Sequence, residues 1–232
     1  MSRAIISCLL ILAFVSSTRA QEPKKETKKE IKNPALAKEL ARRFAVDQAA
    51  RNDLIKFMAE NHISGVVDAT KTDPKIVETF QAKLAKVQEA DRDNTAWLKE
   101  MIDKHGWPGK SLVGSAGEQN SWLLAQHADA DREFQEFCLK KMQAMPKGEV
   151  EPRNIAYLTD RVLLAQGKKQ KYGTQAIMKD GKATPRPLED PEHVDQRRKS
   201  VGLQPLAEYL KFMEQVYGPK KDDANKGKEK GK

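Results

Sequence analysis

The feature that most constrains this chain is a recurrence of apolar side chains every three or four residues, sustained over two long stretches and repeated in shorter ones. Leu36, Leu40, Phe44, Leu54 and Met58 mark the first stretch, and Ile76, Phe80, Leu84, Val87, Leu98 and Ile102 mark the second. That period lines each set along one face of an α-helix, and such a face is stable only when another element covers it. Pro34 opens the first helix, Asp73-Pro74 supplies a cap and a first-turn proline for the second, and Gly106 ends it. Two long helices joined by a short turn near Ser64-Gly65 are expected to pack antiparallel. A third segment runs from Gly117 to His127, breaks at Ala128-Asp129, and continues through Phe134, Phe137, Cys138 and Met142 to a stop at Pro146-Lys147-Gly148. Pro152 opens a fourth, with Ile155, Leu158, Val162 and Ala165 on one side. Asp180-Gly181 then separates two short mixed runs, a hairpin signal, and two last helices follow near 191–200 and 205–217. The expected fold is mainly α: an antiparallel bundle of about six helices with one small β-hairpin near residues 174–188.

The ends read differently from this body. Met1-Ser2-Arg3, an apolar run from Ala4 to Val15, and small residues at Thr18 and Ala20 form the pattern of a cleavable signal peptide over residues 1–20, too short to span a bilayer. A secreted or periplasmic location after cleavage near Ala20 is therefore expected, with no transmembrane segment. Cleavage removes Cys8 and leaves Cys138, so stability rests on core burial rather than on a disulfide. Residues 21–33 read as a flexible Lys/Glu-rich linker, 34–218 as a single helical domain, and 219–232 as a disordered Lys-rich tail. The formal charge of +9 belongs largely to those ends, because residues 34–218 carry 29 basic and 27 acidic side chains. A nearly neutral body does not read nucleic-acid sequence, and the Lys-rich ends suit at most weak contact with anionic surfaces.

Function has to be sought where the pattern breaks. Extended by threes and fours, the first apolar stripe passes through Asp47 and Arg51, the second through Asp91 and Asn94, and the third through His127 and Asp131. In the fourth helix Arg161 lies beside Leu158 and Ala165, with Asp160 one turn after Tyr157. Buried charges demand partners, so four helices each carrying a polar pair near mid-length on an apolar face imply that the pairs meet. Such a meeting is either an ion-pair network that fixes helix register or the floor of a ligand pocket. His127, with Asp129 or Asp131 as orienting carboxylate, is the candidate general base. No second histidine stands at ligand spacing, and neither a metal nor another cofactor is expected. The loop Gln170 to Gln175, with Tyr172 between two amides, suits hydrogen-bonded recognition of a small molecule, sugar or peptide. Two tempting motifs fail: Gly106 to Ser111 has too few residues between its glycines for a phosphate loop, and Val113 stands where a nucleophile elbow needs glycine.

Together, Asp47-Gln48 with Arg51, Asp91 with Asn94, His105-Gly106-Trp107-Pro108, Gln126-His127-Ala128-Asp129, Tyr157-Leu158 with Asp160-Arg161-Val162, and Gln170 with Tyr172-Gly173-Thr174-Gln175 resemble a bacterial family of small exported proteins that is classed only as a domain of unknown function. The resemblance spans Asp47 to Tyr209 and implies no activity. The leading expectation is an exported binding or interaction module with a polar pocket, formed by Asp47, Arg51, Asp91, Asn94, His127, Arg161, Gln170, Tyr172 and Gln175. Its alternatives are a hydrolase using His127 with Asp129 or Asp131, and a purely structural envelope-associated protein. The signal-peptide reading has a direct check: sequencing the exported protein's N-terminus should find Gln21 first, whereas a chain still beginning at Met1 would refute cleavage.

Overall fold

The computed structural model describes residues 30–63, 67–179 and 181–217. Residues 1–29 and 218–232 lie outside it, and with them the expected signal peptide, most of the linker and the tail; so do Ser64, Gly65 and Asp180 of the expected turns. The described residues form seven α-helices and one two-stranded antiparallel sheet, the mainly helical architecture with a small hairpin that the periodicity implies. No helix among them is long and apolar enough to cross a membrane. The chain divides after Glu151 into two compact units.

The first unit holds α1 (Pro34–Glu60), α2 (Pro74–His105), α3 (Lys110–Gln126) and α4 (Arg132–Gln143). Side-chain caps start three of them. Asn33 accepts from Leu36 N at 3.0 Å, Asp73 from Lys75 N at 2.8 Å and Asp131 from Phe134 N at 3.0 Å, each satisfying a donor that the first helical turn leaves open. Lys83 reaches Asp53, Arg51 reaches Asp91, and Arg43 reaches Asp93 and Asn94, so partners on α2 climb in number as those on α1 fall: the helices are antiparallel. Between them Leu54 packs with Phe80, Leu84 and Val87. Gly109 and Gly114 shape the start of α3. The carboxylate of Glu149 accepts from Ser111 N at 2.9 Å there, and Gly114 breaks the helix at φ 75° with Ile31 close above it. Residues 32 and 33, read from sequence as linker, donate backbone hydrogen bonds to Ser111 and Leu112.

The second unit holds α5 (Pro152–Ala165), β1 (Ala176–Lys179), β2 (Lys182–Pro185), a 3-10 turn at Pro191–His193, α6 (Val194–Ser200) and α7 (Leu206–Tyr217). The strands pair Ala176 with Pro185 through Lys179 with Lys182. Two buried charges organise the loop ahead of the hairpin. Asp160, fully buried on α5, accepts from the backbone N–H groups of Lys171 (2.7 Å), Tyr172 (3.0 Å) and Thr174 (2.9 Å) and from the Thr174 hydroxyl (2.9 Å). Arg198, equally buried on α6, donates to the carbonyls of Gln204 (2.6 Å) and Tyr172 (2.6 Å) and lies over the Tyr209 ring. The carboxylate thus supplies acceptors where the loop presents N–H groups, and the guanidinium supplies donors where it presents carbonyls. Removing the carboxylate would strand three buried or half-buried donors, so Asp160→Ala should cost on the order of 3 kcal/mol in urea unfolding, and a loss below about 1 kcal/mol would show that the loop holds without it.

Candidate functional site

Asp47 and Arg51 stand one turn apart on the buried face of α1, and the antiparallel packing sets both against mid-α2. Asp47 is 1% exposed, His127 4% and Arg51 5%, while the Asp91 side chain keeps 21% of its surface open to solvent. Both oxygens of Asp47 lie 3.1 Å from Nδ1 of His127; Asp47 also accepts from Gln48 Nε2 at 2.8 Å and from Arg51 Nε at 3.3 Å. Nη2 of the same guanidinium donates to Asp91, so one arginine bridges the carboxylates of two helices. His127 enters from a third element. It is the residue at which α3 ends, and the turn after it is held by Gln135, whose amide donates to the Gln126 carbonyl at 3.1 Å and to Asp129 at 3.0 Å.

Four of the residues picked from helical phase therefore meet: Asp47, Arg51, Asp91 and His127. Asn94 is buried one turn beyond Asp91 and accepts from Arg43, whose guanidinium lies 4.5 Å from the Trp97 ring centroid. The other candidates have different employment. Asp131 does not continue the row from His127, because α3 has already ended; it caps α4 and takes Lys99 at 2.6 Å. Asp129 is exposed and holds Gln135. The carboxylate that orients His127 is thus Asp47, from a helix distant in sequence. Arg161 is buried on α5 of the second unit. In the same unit, Gln170 spends its side chain on Gln175 N (3.0 Å), Gln175 O (3.0 Å) and Arg186 O (2.8 Å), the Gln175 amide donates to Thr174, and Tyr172 is half-buried. Gln48 entered the sequence reading only through the family resemblance and Gln135 not at all, because a polar side chain off the apolar stripe carries no signal of burial.

The electrostatics of the two carboxylates diverge. Burial pushes Asp47 upward, but the hydrogen bond and charge of His127, then Arg51 and Gln48, outweigh it and hold the carboxyl below its ordinary value. At Asp91 burial wins over Arg51, with repulsion from Asp47 and Asp129 adding to it, and the carboxyl is pushed up to about 6. Cys138, the one cysteine among the described residues, is buried, and burial pushes its thiol upward, away from a nucleophilic thiolate.

The fold and site together define a small, mainly helical protein with a charged cluster buried among three helices of its first unit. The chain belongs to the family of unknown function DUF6624, whose sequence profile matches residues 34–222. No curated protein and no solved structure matches it.

Because the folded Asp91 carboxyl holds its proton up to about pH 6, against an ordinary value of 3.8, the native state binds more protons than the unfolded chain across that window. Stability contributed by this group is accordingly full below pH 4 and falls as pH rises toward 6. Asp47 has the opposite sign, contributing above its ordinary value and losing that contribution on further acidification. Urea unfolding between pH 4.5 and 7 should show the Asp91 decline, on the order of 1 to 3 kcal/mol, and Asp91→Asn should flatten it. An unchanged slope in that variant would show that another group titrates.

Proposed function

We propose that this protein is an exported binding module whose site is the cluster of Asp47, Arg51, Asp91 and His127, entered past Asp91. The observation that carries the reading is the convergence of four ionisable side chains from three helices, three of them buried and one part-exposed. Burying ions is costly, and replacing a buried network with apolar residues of similar volume often stabilises a fold. A charged cluster that is largely buried yet keeps one carboxylate part-exposed therefore suits a ligand more than it suits stability. The Lys-rich ends add at most weak attraction to anionic surfaces.

A second reading rests on the contact between His127 and Asp47. An imidazole held at 3.1 Å by a buried carboxylate is the arrangement of an oriented general base, which would activate a water for hydrolysis.

A melting-temperature screen of the purified protein against small molecules, sugars, short peptides and inorganic ions tests the binding reading, with Asp91→Asn run in parallel. The variant should melt within a few degrees of the parent, since solvent reaches that position, while any ligand-induced rise seen in the parent disappears. If the variant loses many degrees and no compound raises the parent's melting temperature, the cluster is scaffolding. Should a compound bind and be turned over, with turnover lost in His127→Gln, the hydrolase reading replaces it.

A further inference from the structure

One donor atom each from Asp47, Asp91 and His127 lie within 4.8 Å of one another, the one such group of three among the described residues. An imidazole nitrogen with two carboxylates is a donor set of mixed hardness, suited to a divalent transition cation such as zinc or manganese rather than to calcium or magnesium, which prefer oxygen alone. From the sequence no metal was expected, since His127 has no second histidine at ligand spacing. Its companions come from α1 and α2 instead.

The geometry is close to what a cation requires. Metal bonds of about 2.1 Å set neighbouring donors roughly 3 to 3.5 Å apart. Nδ1 of His127 already stands 3.1 Å from Asp47, and the remaining adjustment falls to Asp91, the partly exposed member. The negative charge of this pair of carboxylates is met by one protein cation: the Arg51 guanidinium bridges them, donating through Nε to Asp47 and through Nη2 to Asp91. Arg51 is thus both the local counter-charge and the competitor of any metal ion.

We propose that Asp47, Asp91 and His127 form a divalent transition-metal site in which binding exchanges the Arg51 guanidinium, and the proton that Nδ1 of His127 shares with Asp47, for the ion, the proton leaving to solvent. This rests on the binding reading above and names its ligand class. The exchange couples the site to α1, because Arg51, once displaced from Asp91, must find another partner or turn toward solvent. Three protein donors leave coordination positions open on the Asp91 side, where water or an anionic group can join the ion.

Calorimetric titration of the purified protein with zinc and with manganese, each alone, tests the proposal. One ion per chain should bind, Asp91→Asn should weaken binding at least tenfold, and Arg51→Gln should tighten it by removing the competing charge. Cobalt(II) bound in the same stoichiometry should give visible absorption bands that His127→Gln alters. The tightening in Arg51→Gln is the outcome that a merely structural network does not produce, and circular dichroism confirms that each variant is folded. Absence of saturable binding in both the parent and Arg51→Gln overturns the proposal, as does binding that neither Asp91→Asn nor His127→Gln affects. If no cation binds while an organic compound in the melting screen still depends on Asp91, the metal site fails and the binding module stands; if nothing binds in either experiment, both fail.

Discussion

The first unit depends on the pairing of Asp47. A carboxylate at 1% exposure is tolerable only with its acceptor capacity filled, and three neighbours fill it: His127, Arg51 and Gln48. Each of these constrains a different part of the unit. Gln48 and Arg51 belong to α1 itself, Arg51 carries the link on to α2 through Asp91, and His127 ties in the end of α3. Three helices are thereby held in one register by a handful of polar contacts, around apolar packing that by itself would tolerate sliding.

That arrangement explains why the two carboxylates behave differently although they share Arg51. Asp47 has three partners and stays ionised. Asp91 has the guanidinium, but also faces repulsion from Asp47 and Asp129, and burial costs it more than its partner returns. The under-compensated member is also the one that solvent touches.

The second unit shows the contrary case. Asp160 and Arg198 are as deeply buried as anything in the first unit, yet they turn their charge on the backbone of the 170–175 loop. The loop's own amides are similarly occupied, with Gln170 clamped to Gln175 and Arg186. Residues of kinds that suit recognition are here doing the work that a longer stretch of regular structure would do through its ladder of hydrogen bonds.

The helices were legible because apolar spacing, proline at first turns and a capping Asp or Asn are local signals, and the hairpin because a turn dipeptide separates two short runs. Phase alone also placed Asp47, Arg51 and Asp91 on buried faces, since a residue's direction from a helix follows from its number. What phase could not supply was the partner. His127 and Asp131 seemed to share a helical row, but α3 ends at Gln126 and Asp131 caps the next helix, so the orienting carboxylate had to come from elsewhere. Nothing in the sequence around His127 points to a residue 80 positions earlier. The sequence by itself determined which face of each long helix is buried, because that follows from periodicity within one element. Only the tertiary structure decided which of them touch, because contact depends on how separate helices cross, and that is set by the packing of all their side chains at once.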